Sequence, residues 1–151
     1  MQRNLVKQQI NLCALNNIDD VSNMKQVVSY VMDNGINCLF IDYNLMALKS
    51  KKYGTIVIKE LLEILPQFPC FLVTHYKGQG EGEKIVPQSR IWDKDIFGED
   101  YDSPEFIRFV YEIKNQVDCF YKNLELSLID YQELYKQNEA KQLPANEYSR
   151  F

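Results

Sequence analysis

Histidine and tryptophan occur once each in the 151 residues, and no two of the four cysteines stand close enough in sequence to make a CxxC pair. So little imidazole removes the His-rich metal sites and most His-based catalytic sets from consideration. Cys13, Cys38, Cys70 and Cys119 lie far apart with apolar neighbours on at least one side, so they read as buried thiols of a reducing compartment, not as a zinc site or a disulfide framework. Internal repeats and low-complexity tracts are missing, which excludes fibrous and solenoid architectures. No apolar run is long enough to span a bilayer, and Met1-Gln2-Arg3-Asn4 leads into a polar segment without the apolar centre of a signal peptide. Cytoplasm is therefore the expected location, with no membrane partner. An excess of positive charge is also lacking: the net charge of −4 gives no long-range attraction for nucleic acid, so none is expected as a direct ligand.

What is present is an ordinary globular composition, 46% apolar and 25% charged, in a chain long enough for one compact domain with a real core. Ile10 to Leu15 is a short apolar run ending at Asn16-Asn17, which predicts a buried strand and a turn. Asp19-Asp20 precede Val21, Met24, Val27, Val28 and Val31, a helical spacing that closes at Asn34-Gly35. Ile36 to Ile41 then predicts a strand buried on both faces, ending at Asp42-Tyr43-Asn44. A basic loop, Lys49-Ser50-Lys51-Lys52, leads to Gly54 and a second amphipathic helix through Leu61 and Leu65, which Pro66 ends. Cys70 to Val73 is a further apolar strand, introduced by Pro69 and ending at Thr74-His75. Lys77 to Gly82 reads as a mobile glycine loop, and Arg90 to Lys94 as a short last strand. Ser103-Pro104-Glu105 opens a helix through Phe106, Phe109, Val110, Ile113 and Val117. Its pattern continues through Leu124, Leu128, Tyr131, Leu134 and Tyr135 as one long helix or a bent pair. Leu143-Pro144 looks like the start of another helix that the chain ends before completing.

Alternating strands and helices predict an α/β fold with a parallel sheet, and such sheets carry their functional groups at the carboxyl ends of the strands. Asp42 follows Cys38-Leu39-Phe40-Ile41, Thr74 follows Cys70-Phe71-Leu72-Val73, and Lys94 follows Arg90-Ile91-Trp92-Asp93. With Leu45 and Gly54 after the aspartate and Pro69 before the fourth strand, this order resembles the receiver domain of bacterial response regulators over about residues 10 to 120. The resemblance implies a flavodoxin-like open parallel sheet with helices on both faces. It makes Asp42 the phosphate acceptor, with Thr74 and Lys94 contacting the phosphoryl group. A carboxylate can attack phosphorus to form an acyl phosphate when a cation offsets the incoming charge. The resemblance assigns that cation as Mg2+, held by Asp42 and Asn44, with Asp19 and Asp20 as stand-ins for the family's acidic pair.

That pair normally closes the first strand, roughly forty residues before the acceptor, which here lies before Met1. The first strand and helix are therefore expected to be missing or replaced, and the chain reads as a fragment of a longer protein. The segment from Asp42 to Gly54 is longer than usual, Asp95 replaces the proline that often follows the lysine, and Trp92 sits one residue off the family's switch aromatic. Two readings follow, neither enzymatic: a regulatory module phosphorylated on Asp42 by a sensor kinase and read by an effector protein, or a degenerate receiver that serves as an interaction or homodimerisation scaffold. A small hydrolase would have only His75 and the glycine loop behind it. The expected organisation is a receiver-like domain over residues 1–120 and a helical extension over 121–151.

Overall fold

The computed structural model describes Ile10, residues 23–45 and residues 52–147, with side chains to residue 139. Helix α1 spans Met24–Asp33 and buries Met24, Val27 and Val31 on one stripe. Asn23 caps it, its side chain accepting from the Gln26 amide at 3.4 Å, so the cap is a neutral amide of the described segment. The helix closes as the sequence requires: Gly35 takes φ +60°, and the amides of Gly35 and Ile36 return to the carbonyls of Met32 and Val31. That doubled return bond is the glycine-dependent helix ending a residue with a Cβ would strain. Asp19, Asp20 and the expected strand beyond Ile10 lie outside the described residues.

Strand β1 is Leu39–Ile41, and Asn44–Leu45 (β2) pairs antiparallel with Lys52–Tyr53 (β3). Lys52 thus belongs to a small two-stranded sheet and not to the expected basic loop. Helix α2 follows at Gly54–Ile64, then β4 at Cys70–Thr74, helix α3 at Lys77–Glu83, and β5 at Ile91–Asp93. A 3-10 turn, Lys94–Gly98, precedes helix α4, Pro104–Glu147. The chain is α/β: β1, β4 and β5 form a parallel sheet in the order β1-β4-β5, with Ile41 opposite Leu72 and Thr74 opposite Asp93. Among the described residues no helix is long and apolar enough to cross a membrane.

Successive strand side chains alternate faces, and both faces are covered. Phe71, Val73 and Trp92 pack with Phe109 and Ile113 of α4 and with Ile96, joined by Phe40 and Phe97. The Trp92 and Phe109 rings meet edge to face at 5.1 Å, a favoured aromatic geometry. On the other face, Leu72 and Ile91 lie against Gly80 of α3, and Leu72 also against Gly54 of α2. A Cβ at Gly80 would come within 2.7 Å of Leu72. The glycine-rich segment is therefore a helix seated on the sheet, which corrects the mobile loop expected from its composition: close approach to Leu72 offsets the poor helix propensity of glycine.

Contacts within the chain group it into two units, Met1–Val117 and Asp118–Phe151. The first holds the sheet and the buried residues Phe106, Phe109, Val110 and Ile113. The second is the remainder of α4, which continues as one helix to Glu147 instead of restarting at Pro144. Every side chain from residue 121 to 139 is exposed. Cys38 is half-buried, Cys70 is buried and Cys119 is exposed, while Cys13 lies outside the described residues, so the reading of the cysteines as buried thiols fails at Cys119, on the solvent side of α4.

Candidate functional site

Parallel strands end at one rim, so the pairing of β1, β4 and β5 brings together groups far apart in sequence. Asp42 leaves the end of β1, Thr74 closes β4, and Lys94 follows β5 directly. Lys94 Nζ donates to Asp42 Oδ2 at 2.8 Å, with 43% and 36% of the two side chains exposed. Local capping turns the chain there: the Asp93 side chain accepts from the Asp95 amide at 3.0 Å and starts the 3-10 turn whose first residue is Lys94. Thr74 is fully buried, and its hydroxyl accepts from the Tyr76 amide at 3.2 Å.

Burial alone would raise the Asp42 pKa. The Lys94 hydrogen bond, the neighbouring Thr74 hydroxyl, the Lys94 charge and the Tyr43 amide together outweigh it and hold the carboxyl below its ordinary value. The Thr74 influence is one of proximity, because no well-formed hydrogen bond reaches Oδ1. That oxygen is closed off from solvent and has no partner among the described residues. A magnesium ion keeps several waters about the carboxylates that hold it. With Oδ1 closed off and Oδ2 taken by Lys94, the Asp42 carboxylate could hold that ion only once Lys94 releases Oδ2. Asn44 lies exposed in β2, opposite Tyr53, and Asp19 and Asp20 lie outside the described residues.

Gly54 sets the course of the backbone after Asp42. Its amide donates to the Tyr43 carbonyl at 2.8 Å, and a Cβ there would collide with the Asp42 carbonyl oxygen. Tyr43 is buried, stacks on Tyr53 with ring centroids 4.8 Å apart, and donates its hydroxyl to Glu83 Oε1 at 2.7 Å. The other Glu83 oxygen accepts from the buried Thr55 hydroxyl at 2.6 Å. One carboxylate therefore ties α3 to both α2 and the segment beside Asp42. That hydrogen bond, with burial, pushes the Tyr43 phenol up to about 12. Sequence reasoning singled out none of Tyr43, Thr55 and Glu83, since no local spacing links residues 28 and 40 positions apart.

His75 has neighbours that the sequence hid. The pairing of Thr74 with Asp93 brings its Nδ1 within 3.9 Å of Asp93 Oδ1 and 3.5 Å of Asp95 Oδ1. The three are exposed, and nothing beyond the donor set marks them as an ion site. Trp92 packs toward α4 on the sheet face opposite α3. The rim thus offers an ionised carboxylate, an ammonium in contact with it and a buried hydroxyl beside it, a set suited to receiving or binding an anionic group. No family model, no curated protein and no solved structure matches this chain.

Proposed function

We propose that the chain is a receiver-like regulatory module in which Asp42 accepts a phosphoryl group from a small donor or a partner kinase. The observation that carries the reading is the 2.8 Å contact between Lys94 Nζ and Asp42 Oδ2 at the rim that Thr74 shares. The order β1-β4-β5, with helices against both faces, is what the third to fifth strands of a flavodoxin-like sheet would provide. In the proposed step, an Asp42 oxygen forms a bond to phosphorus while the bond from phosphorus to the donor atom, oxygen in acetyl phosphate, breaks, and that electron pair leaves with the donor. Lys94 must release Oδ2 first, and its ammonium then bonds the phosphoryl oxygens. The Thr74 hydroxyl, freed to donate, pulls on the β4–α3 turn through Tyr76 and so reports the event to α3.

The test is exposure of the full chain to acetyl phosphate or beryllofluoride with magnesium at millimolar concentrations. A hydroxylamine-labile phosphoryl adduct on Asp42, together with amide NMR shifts at Thr74, Tyr76 and Lys94, is expected. Asp42→Asn should give neither. A wild-type chain that responds to neither reagent removes the phosphoryl reading. One observation favours a second reading, a phosphorylation-independent interaction module: both oxygens of Asp42 are already withdrawn, one by Lys94 and one from solvent. Under that reading Asp42→Asn leaves partner binding unchanged.

A further inference from the structure

From residue 121 to 139 helix α4 has no buried side chain, yet it displays Tyr121, Leu124, Leu128, Tyr131, Leu134 and Tyr135, each at least 44% exposed. A helix gains most of its stability from burying an apolar stripe, and soluble chains rarely leave a patch of this size open. The spacing of the stripe narrows the choice of cover. Tyr121, Leu124, Leu128, Tyr131 and Tyr135 recur at steps of three and four, a 3.5-residue period, with Asn138 next in line. A 3.5-residue period keeps facing its partner only if that partner is a helix that supercoils with it. Leu126 and Ile129 fall off the stripe and begin no second one, since Glu133 and Lys136 occupy the next turn on their side.

We infer that this stripe pairs with the same stripe of a second copy of the chain, as a parallel two-stranded coiled coil. The area supports a self-standing contact: six half-exposed large side chains bury about 600 Å² per chain, or about 1,200 Å² in all, the lower end of what stable interfaces use. Charge sets the direction. The residues flanking the stripe on one side are Glu125, Gln132 and Glu139, and on the other Ser127 and Leu134. In an antiparallel pair the glutamate sides face each other and repel; in a parallel pair each glutamate side faces the uncharged side of its partner. The inference stands apart from the phosphoryl reading, because it uses no residue of the rim.

Sedimentation equilibrium of the full chain over a concentration series tests it. A reversible monomer–dimer equilibrium is expected at micromolar protomer, with loss of the dimer in Leu124→Glu/Leu128→Glu while Trp92 emission stays native. A wild type that remains monomeric at the highest concentration, or a dimer that survives the double substitution, overturns the proposal. Direction is read independently from cysteines introduced at Leu124→Cys and at Tyr135→Cys, each in a Cys119→Ser background, with cross-links between the introduced positions located by peptide mapping. Both positions should form a disulfide with their own counterpart, because a parallel seam brings equal numbers together along its whole length. A cross-link at only one of them, or at neither, rules out the parallel seam.

Discussion

Asp42 shows how the balance at a single residue is struck. Its pKa lies below the unfolded value, so the stability it contributes is present above that value and is lost as pH falls through the folded one. Both side chains of its pair with Lys94 are more than a third exposed, which limits the pair to about 1 kcal/mol or less. Lys94→Met removes the hydrogen bond and the charge that oppose burial most directly, so the Asp42 carboxyl titration followed by carbon NMR should move upward. An unchanged titration would mean that Lys94 does not hold the ion. Sequence order made Asp42, Thr74 and Lys94 legible as strand ends, since Asp42 and Thr74 each follow an apolar run and Lys94 follows the short strand Arg90-Ile91-Trp92-Asp93. Their contact, the closed-off Oδ1 and the approach of Asp93 and Asp95 to His75 were not legible, because they depend on which strands are neighbours and in what register.

At the scale of elements, α3 is the informative case. Its glycines differ in surroundings: Gly80 is pressed on Leu72, whereas a Cβ at Gly78 or Gly82 would meet nothing within 4 Å. Gly78→Ala and Gly82→Ala are therefore expected to stabilise by about 0.5–1 kcal/mol in urea unfolding, through helix propensity and a less free unfolded chain. Gly54→Ala drives a Cβ into the Asp42 carbonyl, and a backbone atom cannot step aside as a side chain can. It should destabilise by about 1–3 kcal/mol. Equal effects at the three positions would contradict this account. The Glu83 tie adds an alkaline signature. Folding raises the Tyr43 pKa from 10.0 to about 12, so its contribution is intact below pH 10 and falls away as pH climbs to about 12. Tyr43→Phe should remove that decline from the stability profile. None of this could be read from Lys77–Glu83 alone, where three glycines in seven residues predict a loop.

At the scale of the whole molecule, burial among the described residues is confined to one unit. The core residues from Met24 to Ile113 all fall within Met1–Val117, and residues 121–139 contribute none. The single tryptophan, Trp92, lies in that core, so its emission reports the first unit without interference. Substituting exposed positions of the second unit that lie off the stripe, Leu126→Ser for example, should leave the Trp92-detected unfolding free energy within about 0.5 kcal/mol of wild type. A larger drop would show that the long helix supports the sheet.

By itself the sequence determined the alternation of strands and helices, the close of α1 at Asn34-Gly35, the extent of β4, the apolar faces and the continuation of a helical pattern beyond Phe120. These follow from spacing, capping and chain-breaking residues, which act over a few positions. Only the tertiary structure decided that Lys52 pairs with Leu45, that a glycine-rich run folds as a helix, that Glu83 binds Tyr43 and Thr55, and that Lys94 meets Asp42. Each of these depends on groups from separate segments reaching one place, and burial energy summed over the sheet, not the local preference of any segment, sets where that place is.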